Sequence, residues 1–89
     1  MMRIVYDPAK DVANFRKHGI SLADAENFEW DRAVVEPDLR FNYGEERYIA
    51  MGYIGLRLHV LVFTMRNDVL RVISLRKANE REGDRYARA

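Results

Sequence analysis

DPAKDVANFRKHGIS, residues 7–21, holds the start, body and stop of one helix and the cap of the segment that follows. Asp7 offers a side-chain oxygen to a first-turn N–H, and Pro8 falls at the first helical position, where a missing donor costs nothing. Along the body, Ala9, Val12, Phe15 and the stem of Arg16 recur at helical spacing, which predicts the buried stripe. Lys10, Asn14 and Lys17 fall at i, i+4 and i+7 on the other side. Lys17 and His18 put positive charge in the last turn, where it complements the helix dipole, and Gly19 suits the left-handed residue that ends a helix. Ser21 then caps a second helix, with Asp24 three residues on as in a capping box. The stretch predicts a helical hairpin: helix one over residues 8–18, helix two over residues 22–30, the second burying Leu22, Ala25 and Phe28.

Working outward, residues 3–6 read as a first strand. Residues 33–36 form a short strand ended by Pro37, and residues 38–45 are a loop broken by Asn42 and Gly44. Residues 47–54, 58–65 and 69–76 are rich in β-branched and aromatic side chains, with turns at Gly55-Leu56 and Asn67-Asp68. The tail, 79–88, opens with Asn79 and Glu82 in capping-box positions and reads as a short polar helix whose one large anchor is Tyr86. The expected fold class is α+β, one domain over residues 1–89: two N-terminal helices packed on an antiparallel β-sheet, with a short C-terminal helix. Strict alternation on the last strand puts Val72, Ser74 and Arg76 on one face and Arg71, Ile73 and Leu75 on the other.

At 89 residues, 48% hydrophobic and 33% charged, the chain suits a small globular protein and not a disordered one. It has no apolar run near the ~18 residues that a membrane helix needs, and its start does not read as a basic-then-apolar leader. With no cysteine, disulfides and Cys-based zinc sites are excluded, and a reducing cytoplasm is the expected compartment. The net charge of +1 hides an asymmetry: residues 1–45 carry six basic and nine acidic groups, residues 46–89 nine basic and five acidic. A basic C-terminal half points to a polyanion as one reading and to ordinary charge scatter as the other.

His18 and His59 are the only histidines, so a His-rich metal site is excluded, and no HExxH, Ca²⁺-loop, P-loop or GxGxxG pattern occurs. His18 suits proton transfer near neutral pH, against the plainer role of complementing the helix dipole. The arginines of the last strands and tail suit phosphate, because a guanidinium fork matches two oxygens at once; their plainer role is to solvate a sheet face. The carboxylates read as caps and ion-pair partners.

In series, DPAK…N..KHGIS, Phe28, Asp31, GEERYIAMG (residues 44–52) and RVISLRKANERE (residues 71–82), ending near Tyr86, resemble the BrnT family of toxins from type II toxin–antitoxin modules. Val5-Tyr6 departs from the aromatic-x-Trp pattern often found there. The resemblance implies a RelE-like fold and an RNA-cleaving toxin that needs no metal or cofactor and inhibits translation. It implies a BrnA-like antitoxin with a ribbon-helix-helix segment, operator DNA reached only through that antitoxin, a higher-order toxin–antitoxin oligomer and no membrane. It also raises His18, Lys17, Arg47, Arg76 and Tyr86 to candidate catalytic residues. Lys10, Asn14, Arg71, Lys77 and Arg81 become the candidate RNA contacts around them. The competing expectation is a non-catalytic module that binds nucleic acid or antitoxin.

Overall fold

The computed structural model describes residues 3–89. Five strands form one sheet: β1 (Arg3–Tyr6), β2 (Val34–Pro37), β3 (Tyr48–Ile54), β4 (Arg57–Arg66) and β5 (Val69–Lys77), in the spatial order β1-β5-β4-β3-β2. Two α-helices accompany it, α1 (Pro8–His18) and α2 (Glu80–Arg88). The consecutive strands β2 to β5 are antiparallel; a long loop joins β2 to β3, and short turns join β3 to β4 and β4 to β5. At the β4–β5 turn Asn67 and Asp68 both have positive φ, the geometry that a two-residue hairpin of matching twist requires.

Two parts of the expected architecture are corrected. The sheet is mixed, not antiparallel, because β1 lies parallel to β5, with Arg3 opposite Val69 and Tyr6 opposite Val72. Nor are there two N-terminal α-helices on the sheet. Only α1 is α-helical; the segment after Ser21 forms two 3₁₀ turns, Leu22–Asn27 and Trp30–Arg32. The reason lies in its buried residues. Leu22, Ala25 and Phe28 are spaced by three, and a 3₁₀ turn stacks i and i+3 on one side where an α-helix would rotate them apart. Ser21 does cap this segment, but through Ala23 N–H, and Asp11 of α1 accepts both Ser21 Oγ–H and Leu22 N–H.

Leu22, Ala25 and Phe28 meet Ala50, Leu61, Phe63, Leu70, Val72 and Leu75 in the main core on one sheet face. Val72 and Leu75 share that face because β5 carries a bulge: Val62 pairs with Ser74 and Phe63 with Val72, leaving Ile73 unmatched. The strict alternation expected for this strand therefore fails at Ile73, and Ser74 and Arg76 fall on the opposite face. There a smaller cluster of Met51, Leu58, Val60 and Ala78, with Ile49, Tyr53 and Tyr86 packed against it, lies under part of α2.

Helix α1 is oriented opposite to its expected stripe. Val12 and Phe15 are 52% and 59% exposed, and Asn14 is the residue that α1 buries. β1 covers β5 only as far as Val72, so the edge of β5 beyond Ile73 lacks a strand neighbour. Asn14 takes that place: its amide donates to Leu75 C=O at 2.8 Å and accepts from Leu75 N–H at 3.1 Å. It donates as well to Ile20 C=O at 2.9 Å, just past the helix stop. Buried backbone groups need partners, and one side chain supplies three. The helix stop behaves as expected, with Gly19 at φ +72° and its N–H bonded to Phe15 C=O. Gly19→Val should therefore destabilise the protein by about 1–2 kcal/mol, the cost of a left-handed conformation for a residue with a Cβ. A thermal midpoint equal to wild type would refute this reading of the stop.

Candidate active site

On the sheet face away from the main core a cleft of about 590 Å³ opens beside α2. Its floor is Ile49, Met51, Val60, Val62 and Ser74; the end of α1 brings Lys17 and His18, and the end of β2 with the loop after it brings Pro37 to Arg40. Arg76 enters from the end of β5, with Glu82 and Arg85 from α2 and Glu36 from β2 completing the rim. Because Asn14 ties α1 to the edge of β5, the last turn of the helix overhangs the same face that the bulge gives to Ser74 and Arg76.

Charge in the cleft is mostly paired. Arg76 donates from two terminal nitrogens to the two oxygens of Glu82, each at 2.7 Å. The same Glu82 accepts Asn79 N–H and closes the capping box of α2, so the junction of strand and helix holds the guanidinium in one plane. Arg76 lowers the Glu82 carboxyl pKa by these hydrogen bonds, and Glu82 in turn raises that of the guanidinium. An end-on pair of this kind leaves the side-on donors, Nε–H and the outer N–H of the same terminal nitrogen, for a second acceptor. Arg85 pairs with Glu36 at 3.1 Å, and Arg40 with Asp38 at 2.8 Å. Among the described residues Lys17 is in no ion pair. The His18 pKa is lowered from 6.5, chiefly by burial and then by the nearby charges of Lys17 and Arg76. Its neutral form therefore prevails at neutral pH.

The structure brings together only part of the expected site. Lys17, His18 and Arg76 meet in the cleft, and Lys10 lines a hollow that adjoins it through Lys17, His18 and Ser74. Asn14, expected among the RNA contacts, is buried with its amide spent on backbone groups. Arg47 lies outside the cleft lining; its guanidinium lies 4.0 Å over the Tyr43 ring and its Nε donates to Glu45. Tyr86 also lies outside, its hydroxyl donating to Arg32 C=O at 2.7 Å while its ring meets Tyr53 edge-on at 5.7 Å, which fastens α2 across the sheet. Arg71, Lys77 and Arg81 are exposed and do not line the cleft. Sequence reasoning missed Arg40 and Ser74. Arg40 sits in a loop without periodicity, and only the bulge at Ile73 decides where Ser74 points. His59, buried with Nδ1 2.8 Å from Arg57 C=O, is structural. No group of three or more metal-ligating side chains stands together among the described residues.

Fold and site define a small α+β protein whose main concave surface gathers cations from a helix end, a strand end and a loop. Residues 6–82 match the family model described as the ribonuclease toxin BrnT of type II toxin–antitoxin systems, and the chain belongs to that family. RNA is accordingly the substrate class, and an antitoxin the class of partner. A search of curated proteins finds no match to the chain. No helix among the described residues is long and apolar enough to cross a membrane.

Proposed function

We propose that the chain cleaves RNA in this cleft by metal-independent transesterification. The observation that carries the reading is the convergence of Lys17, His18 and Arg76 on one surface from two separate elements. In the proposed step the ribose 2′-oxygen gives its proton to His18 and attacks the adjacent phosphorus. The bond to the 5′-oxygen breaks, and that oxygen takes a proton from water, whose hydroxide is neutralised by the proton that His18 gives up, leaving a 2′,3′-cyclic phosphate and a 5′-hydroxyl. Arg76, through its side-on donors, and Lys17, as a point charge, hold the non-bridging oxygens as negative charge builds on them. Neutral His18 is the form that a base requires, and its depressed pKa keeps it available.

The partner in this reading is a BrnA-like ribbon-helix-helix antitoxin, through which alone the toxin meets operator DNA, in a complex that can extend to higher order. Cutting of messenger RNA in the cytoplasm then halts translation. The test is incubation of purified RNA with the isolated toxin in excess chelator. Cleavage with cyclic-phosphate ends supports the mechanism; intact RNA that is cut only after Mg²⁺ is restored overturns it. In the cell, expression without antitoxin should arrest growth and coexpression should restore it.

The pH dependence has a definite sign. A base with a lowered pKa is active above that pKa, so kcat/KM should rise with pH along a limb whose midpoint lies below the ordinary imidazole value of about 6.5. His18→Ala should remove this rising limb. A limb that persists in the variant would assign the proton transfer to another group.

A further inference from the structure

The loop between β2 and β3 is braced to a degree that a mere connection does not need. Asp38, buried at its base, accepts Arg40 N–H, Arg40 Nε–H, an Arg40 terminal N–H and the Tyr43 hydroxyl. Its own N–H donates to Arg47 C=O across the loop at 2.8 Å. The Arg40 hydrogen bonds hold the Asp38 carboxyl well below the usual carboxylate range. Higher up, Arg47 lies over one face of Tyr43, and Phe41 meets the Tyr43 ring edge-on at 5.8 Å. Phe41 is nevertheless 69% exposed. A stack of Arg47, Tyr43 and Phe41 thus ends in an aromatic ring that faces solvent.

The place of this ring matters. Pro37, Asp38 and Leu39 line both the cleft and the hollow in which Phe41, Tyr43 and Arg47 lie, so the two surfaces are continuous. The nearby carboxylates are engaged, Asp38 by Arg40 and Tyr43, Glu45 by Arg47 and Glu46 by the Tyr48 hydroxyl. An exposed ring braced through Tyr43 against Arg47, beside a cleft that holds Lys17 and Arg76, has the chemistry of a platform for an unpaired nucleobase.

We propose that Phe41 stacks a base of single-stranded RNA next to the phosphate held in the cleft, with Arg47 and Tyr43 keeping the ring in place. The inference rests on the ribonuclease reading and adds a binding residue to it. An antitoxin segment is the competing occupant; the continuity of the ring's hollow with the cleft favours RNA.

The probe is a fluorescent 2′-O-methyl single-stranded oligonucleotide, which binds but cannot be cut, titrated into antitoxin-free toxin. Phe41→Ala is expected to weaken binding about tenfold, the loss of one base stack. Phe41→Leu, equally apolar but without a π-face, should stay weak, and Phe41→Trp should restore binding. Because Phe41 is exposed, all three variants should melt with wild type. Wild-type affinity in the alanine or the leucine variant overturns the proposal. So does an alanine variant that binds RNA normally and loses antitoxin capture, which would make the ring part of the protein interface. A wild-type chain that binds the probe through Phe41 yet cuts no RNA would remove the ribonuclease reading and leave the stacking surface standing.

Discussion

Replacing Arg76 with alanine should reduce RNA cleavage on the order of 10²-fold or more, as removal of one preorganised donor to a developing oxyanion does elsewhere. Arg76 holds a rigid position: its end-on donors are fixed by Glu82, and Glu82 is itself fixed at the third position of α2 by Asn79 N–H. The remaining side-on donors need no reorientation when phosphate arrives. A preorganised dipole acts most strongly where charge is greatest, which is in the phosphorane-like transition state and not in the bound substrate. The loss should therefore appear mainly in kcat. Arg76→Lys should recover only part of the rate, because it keeps the charge and loses the parallel donors. Folding should survive, since Glu82 still accepts Asn79 N–H in the variant and its carboxylate is not left without a partner. The measurement is cleavage of labelled RNA by refolded toxin, with circular dichroism and antitoxin pull-down as controls. Wild-type cleavage in an alanine variant that melts normally would make Arg76 a surface arginine paired with a cap.

Asn14→Ala should have the largest effect on stability, about 3 kcal/mol or more, because it strands Leu75 N–H, Leu75 C=O and Ile20 C=O at a buried site, each at a cost of about 1–3 kcal/mol before water relieves part of it. For a protein of this size that corresponds to a fall in Tm on the order of 15 °C. Asn14→Asp should be no better: it keeps an acceptor for Leu75 N–H and sets a carboxylate against two carbonyl oxygens. Lys10→Ala, one turn earlier on the exposed side, should change stability by less than about 0.5 kcal/mol. This pair of variants separates two roles that look alike in sequence, a polar residue that touches RNA and one that closes a sheet edge. Thermal melts monitored by far-UV circular dichroism decide between them, and coincident midpoints for Asn14→Ala and wild type would refute the edge-cap role. Since α1 carries Lys17 and His18, loosening it should also lower activity at temperatures where the protein remains folded.

The sequence by itself determined the punctuation of this protein. Asp7, Pro8 and Gly19 bound α1, Asn79 and Glu82 form the capping box of α2, and Asn67-Asp68 turns the last hairpin. Each of these signals acts within a few residues, through a side chain reaching a nearby backbone group or a backbone angle that few residues accept, so no distant contact is needed to read it. The same locality makes the series of motifs sufficient for the BrnT resemblance. What the tertiary structure alone decided lies at longer range. β1 runs parallel to β5 because of a pairing between residues more than sixty positions apart. The bulge at Ile73 sends Ser74 and Arg76 to the cleft face, and it arises from the register against Val62 and Phe63. The face that α1 buries was misread because Asn14 satisfies a strand edge sixty-one residues away, a demand that apolar spacing does not register. For the same reason Arg47 and Tyr86, both within family motifs, are found bracing a loop and a helix outside the cleft. Arg40, which carries no periodic or motif signal, is found inside it. Spacing in the chain specifies which side chains share a helix or strand; which of them share a site depends on pairings and edges that exist only once the chain has closed on itself.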